Sequence, residues 1–63
     1  MKRIKELREQ RHMSQMELAR EVGVSQVCLS RYETGERSPS YSTIKAIARV
    51  FGCSVDELLS DTE

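Results

Sequence analysis

Apolar residues recur along this chain at helical spacing, and no stretch alternates at the two-residue period of a strand. Five segments can be read. The first spans about Lys2 to Arg11, with Ile4 and Leu7 inward and charges elsewhere. The second opens at Ser14, which with Glu17 has the spacing of a capping box, and Leu18, Ala19 and Val22 form its inner stripe. Gly23 supplies the left-handed conformation that ends a helix and turns the chain. Val24 packs in that turn and Ser25 caps the third helix, where Cys28, Leu29 and Tyr32 make the apolar stripe. Thr34 and Gly35 end it. In the loop that follows, Pro39 biases Ser38 away from helix. Ser40 caps a fourth helix, Tyr41 to Phe51, with Ile44, Ile47, Ala48 and Phe51 inward, and Gly52 closes it. Ser54 and Glu57 read as a second capping box before a short last helix with Val55, Leu58 and Leu59. Every connection is a few residues long. The pattern predicts an all-α fold, one compact five-helix domain over residues 1–63.

The third helix has a second face with different chemistry. Gln26, Val27, Ser30, Arg31 and Thr34 fall opposite the apolar stripe. They offer an amide, a guanidinium, two hydroxyls and one small apolar contact, with no carboxylate. Those groups suit base edges and phosphates in a major groove. An ordinary solvated face more often mixes Glu and Lys. Taken singly, Gln26 and Arg31 are common surface residues, and Val27 could be a core residue. Its place beside Gln26 and away from Leu29 favours contact with a thymine methyl.

Composition changes this picture little. The 63 residues carry ten Lys and Arg against ten Asp and Glu, a net charge of zero. The charges are unevenly placed: residues 1–51 hold all ten basic groups and six acidic ones, and Asp56, Glu57, Asp61 and Glu63 follow. A body of +4 with a tail of −4 fits one end facing phosphate and the other facing away, although acidic ends are common for solubility alone. Cys28 and Cys53 are too few for a disulfide framework or zinc finger, and are expected as reduced, small hydrophobes. No apolar run reaches membrane-spanning length and no signal-peptide pattern is present, so the expected location is cytoplasmic and no membrane is expected as partner.

Ser14-Gln15, Leu18-Ala19, Gly23-Val24-Ser25, Leu29-Ser30-Arg31, Glu33, Gly35, Pro39-Ser40 and Val55-Asp56-Glu57-Leu58 stand in one register. Together they resemble the Cro/C1-type helix-turn-helix family of phage repressors and bacterial Xre-like regulators, over nearly the whole chain. The resemblance implies a lambda-repressor-like DNA-binding domain whose second and third helices form the motif. It implies base contacts from Gln26, Val27 and Arg31, with Ser30 a weaker candidate. It implies backbone contacts from Ser14, Gln15, Ser25, Thr34, Arg37, Ser38 and Ser40, and gives Gln15 a second role as brace to a residue at the start of the third helix. Ala19 matches the small residue where the two helices cross. Arg8 and Glu33 match a partly buried ion pair, which makes Glu33 structural. His12 departs from the glycine usual at its position.

The bland alternatives are specific. Cys28 is more often an inert thiol than a redox sensor. Tyr32 and Tyr41 are read as packing residues with hydroxyls near the surface, His12 as a tolerated cap, and the remaining Arg and Lys of the first helix as solvated. The leading function is sequence-specific binding of double-stranded DNA by a transcriptional regulator, with a repressor favoured. The alternative is a protein-interaction module on the same fold, such as an antitoxin or adaptor. Catalysis has no support: there is no nucleophile–base pair, no metal-ligand spacing and no Gly-rich phosphate loop, so no cofactor, metal or small-molecule substrate is expected. One such domain covers little DNA, which argues for a homodimer on a palindromic operator, joined through the last helix with Leu59 as the candidate contact. Otherwise the chain is a fragment of a longer one.

Overall fold

Four serines start helices in this chain and three glycines end them. In a computed structural model that describes residues 1–60, the helices are α1 (Lys2–Gln10), α2 (Gln15–Val22), α3 (Gln26–Thr34), α4 (Tyr41–Phe51) and α5 (Val55–Leu59). Ser14, Ser25, Ser40 and Ser54 each adopt extended backbone and accept a hydrogen bond from the N–H three residues on. Gly23, Gly35 and Gly52 take positive φ at the C-termini of α2, α3 and α4.

The end of α1 has no glycine, yet it uses the same geometry. His12 sits at φ 56°, and its N–H bonds the Glu9 carbonyl at 3.0 Å while the Met13 N–H bonds the Arg8 carbonyl at 3.0 Å. That is the paired bonding of a Schellman end, made with a side chain in left-handed backbone.

Every helix contributes to one core. Ile4 and Leu7, Leu18 and Ala19, Leu29 and Tyr32, the α4 set Ile44, Ile47, Ala48 and Phe51, and Leu58 are all buried. α2 packs on α3 and α4, α1 on α3 and α5, and α5 on α4. The expected inner stripes are therefore the observed ones. Leu58 points inward and Leu59 is 40% exposed, as their adjacency requires.

Three expectations need correction. Two cations of the first segment, Arg3 and Arg11, are not simply solvated, whereas Lys2 and Lys5 are exposed as expected. Arg11 donates to the Phe51 carbonyl at 2.6 Å with its guanidinium 5.6 Å from the Phe51 ring, and Arg3 lies 3.2 Å from Glu6 and 3.5 Å from Glu57. The second capping box forms only its serine half: the Ser54 hydroxyl accepts from Glu57 N–H at 3.1 Å, while the Glu57 carboxylate is drawn to Arg3 on α1. Tyr41 is not a packing residue. It begins α4 facing outward, 67% exposed, with the Lys45 ammonium 5.4 Å from its ring. Of the acidic tail, Asp61 and Glu63 lie outside the described residues.

Candidate nucleic-acid interface

The turn between α2 and α3 is set by backbone. Gly23, at φ 88°, and Val24 both bond the Ala19 carbonyl, at 2.8 and 3.0 Å. Ser25 then starts α3 at once, so the two helices are held through a three-residue connection. Ala19, buried between them and their neighbours, leaves room for that approach.

The first turn of α2, the first two turns of α3 and the loop after α3 border an open concavity of about 340 Å³, lined by Gln15, Gln26, Val27, Ser30, Arg31 and Glu36. Four of these are the residues assigned to base edges. Gln26 and Arg31 are exposed, Val27 is 61% exposed, and Ser30 is half-buried. Val27 is thus held outward while Leu29 and Tyr32 fill the core.

The backbone candidates differ in what their polar groups are free to do. The hydroxyls of Ser14, Ser25 and Ser40 accept from backbone N–H groups at 3.0, 3.0 and 3.3 Å. A serine hydroxyl that accepts in this way still has its own proton to donate. Ser40 also lies 3.2 Å from the Ser42 hydroxyl and 3.0 Å from that of Thr43. Thr34 is different: its hydroxyl donates to the Arg31 carbonyl at 3.2 Å, a bond it would have to release to reach a phosphate. Arg37 and Ser38 are exposed in the loop.

Behind this surface lies a buried polar cluster. Arg8 grips Glu33 through two bonds, Nε to Oε2 at 2.8 Å and Nη2 to Oε1 at 3.3 Å, and donates from Nη1 to the Met13 carbonyl at 2.7 Å. Glu33 is only 5% exposed. Its Oε1 also accepts from the Gln15 amide at 3.0 Å. Gln15 thus braces the last turn of α3, in place of the residue at its start that the family resemblance implied. Three helices meet at one carboxylate. The fork of a guanidinium matches that carboxylate in a way a lysine would not.

The two thiols are free. Cys28 lies 3.2 Å from the Tyr32 hydroxyl, and this contact, with burial, holds the Tyr32 phenol above its ordinary pKa. Burial likewise pushes the Cys53 thiol up. Both effects favour the neutral forms of Tyr32 and Cys53.

Glu36 was not among the sequence candidates for this surface. It is brought there because Gly35 turns the chain and the Arg37 N–H bonds back to the Arg31 carbonyl at 3.2 Å. A glycine directly after a helix, followed by a charged pair, is the local signal that could have found it.

Comparison with known proteins agrees with this geometry. The family model described as Helix-turn-helix matches residues 4–58. The cryptic phage CTXphi transcriptional repressor RstR of Vibrio cholerae is 36% identical over 61 residues, which are 97% of this chain and 55% of that protein. The antitoxin PezA of Streptococcus pneumoniae is 40% identical over 60 residues, 95% of this chain and 38% of that protein. The chain thus spans about half the length of these curated relatives, or less. The solution structure of the DNA-binding domain of the P22 C2 repressor superposes with a TM-score of 0.87 at 34% identity, over 94% of this chain and 78% of that one.

Proposed function

This chain belongs to the Cro/C1-type helix-turn-helix family, and from that premise we propose that it binds double-stranded DNA sequence-specifically as a transcriptional regulator, with repression the favoured outcome. α3 lies in the major groove, where Gln26, Val27, Ser30 and Arg31 meet base edges. Ser14, Gln15, Ser25, Thr34, Arg37, Ser38 and Ser40 flank them along the phosphates. The observation that carries this reading is the grouping of Gln15, Gln26, Val27, Ser30 and Arg31 around one outward concavity. Gln15 is also tied to the buried Glu33, but Gln26, Val27, Ser30 and Arg31 make no such bond to the buried cluster, and together they match the donors, acceptors and apolar contact of a base-reading surface.

In vitro selection from random duplexes tests it directly. The expected result is one enriched sequence built of two related half-sites. Failure to enrich any sequence, at low salt where binding is strongest, overturns the reading.

The working unit is a homodimer on a palindromic operator. α5 supplies the contact: Leu59 is 40% exposed beside the buried Leu58, and a two-fold interface sets it near its symmetry mate. The α3 helices then lie about 34 Å apart, one turn of duplex. Leu59→Lys should leave the monomer folded, abolish cooperative binding to the palindrome and spare binding to a half-site. Equal loss on both sites, or on neither, rejects this interface. An antitoxin-like protein-interaction role is the second reading, favoured by the similarity to PezA. A helix 3 surface that captures no duplex would move it forward.

A further inference from the structure

The concavity has one acidic wall. Its other side chains are amides, a hydroxyl, a methyl-bearing contact and the Arg31 cation, whereas Glu36 adds a carboxylate. That carboxylate comes from the loop. It is carried to the Arg31 side by the φ of 87° at Gly35 and the Arg37 N–H bond to the Arg31 carbonyl. Glu36 is exposed and lines the concavity, which places a negative charge at the edge of the surface.

A carboxylate turned towards a polyanion weakens binding unless it meets a hydrogen-bond donor. It can only accept. In a major groove the base-edge donors are the amino groups of cytosine and adenine, while guanine O6 and N7 and thymine O4 are acceptors. Adenine sets its N7 acceptor next to the amino group, so one carboxylate oxygen would be repelled as the other bonds. Cytosine offers its N4 amino group with no adjacent acceptor on its own edge.

We propose that Glu36 is a specificity-determining residue that accepts a hydrogen bond from the N4 amino group of cytosine next to the base pair met by Arg31. Guanine and thymine at that position are rejected by acceptor facing acceptor. Affinity is sacrificed for discrimination, the form specificity takes when a wrong partner is penalised. This inference rests on the DNA-binding reading above.

The test is Glu36→Gln, which keeps shape and removes charge. Parent and variant are each put through selection from random duplexes. The selected parental site is then titrated with every base at each position. The parent should prefer cytosine over guanine or thymine at one position by about tenfold. The variant should lose that preference there alone and shift towards adenine, whose N6 and N7 suit an amide. Identical base preferences with uniformly tighter binding to every duplex would overturn the proposal and leave Glu36 as a phosphate-repelling group. If the parent itself enriches no sequence, the DNA-binding reading fails and this inference fails with it.

Discussion

The two faces of α3 are only one side chain apart and obey different rules. On the inner face, Leu29, Tyr32 and Glu33 are buried, and Glu33 is satisfied by Arg8 from α1 and Gln15 from α2. On the outer face, Gln26, Val27 and Arg31 stay exposed, Val27 at 61%. Inner residues are chosen by what the fold must hold, so their loss acts through folding. Outer residues have no such duty, so on the proposed reading their loss acts through the bound DNA. The contrast also corrects a habit of reading charge: the acidic residue on the inner edge of α3 is structural, and the one beyond its end, Glu36, reaches the outer surface.

The largest expected effect breaks the inner face. Glu33→Ala strands the Arg8 guanidinium, whose side chain is 11% exposed, without its carboxylate. Losing one partner of a buried pair costs about 3–5 kcal/mol. A domain of this length holds about 3–9 kcal/mol in all, so the variant should be partly or wholly unfolded at moderate temperature. Thermal melting followed by circular dichroism checks it, with DNA affinity falling only as the folded fraction falls. A variant that melts like the parent and still fails to bind would erase the distinction between the faces.

That inner pair was legible because the family register places Arg8 and Glu33 together. The helices themselves were legible from local chemistry alone. Serine caps at 14, 25, 40 and 54 and glycine ends at 23, 35 and 52 depend on a few neighbouring residues, so the observed bounds follow them closely. What stayed hidden depends on how helices meet. Gln15 turns to Glu33 because α2 crosses the last turn of α3, and Arg11 reaches the end of α4 across a gap of 40 residues in sequence. Tyr41 faces solvent because the inner side of α4 is already filled by Ile44, Ile47, Ala48 and Phe51. No spacing rule within one segment carries that information.

The middle-sized effect breaks the outer face. Arg31→Ala removes an exposed fork suited to guanine O6 and N7, and should weaken binding to the selected site by about 1–3 kcal/mol. Preference at one base pair should relax. The melting temperature should stay close to the parent's, because surface changes away from packed features usually stay within about 0.5 kcal/mol. Selection and titration on the variant decide it. Unchanged affinity with an unchanged selected sequence would remove Arg31 from the reading surface.

The smallest effect supplies a reference that belongs to neither face. His12 is exposed at the corner between α1 and α2 and does not line the concavity. Three of the four long helices end on glycine at positive φ, and α1 ends with His12 at φ 56°. Left-handed backbone costs a side-chain-bearing residue about 1–2 kcal/mol relative to glycine. The greater freedom of glycine in the unfolded chain takes back part of that gain. His12→Gly should therefore stabilise by about 0.5–1 kcal/mol, a rise of about 2–8 °C in melting temperature. Its hydrogen bonds to Glu9 and from Met13 to Arg8 are made by backbone, so they survive the change. DNA affinity should not move, since the concavity is untouched. Added stability with equal binding would show that folding and recognition are separable in this domain, as the two faces of α3 imply. A fall in melting temperature would mean that the imidazole holds the corner by a contact worth more than the backbone strain it imposes.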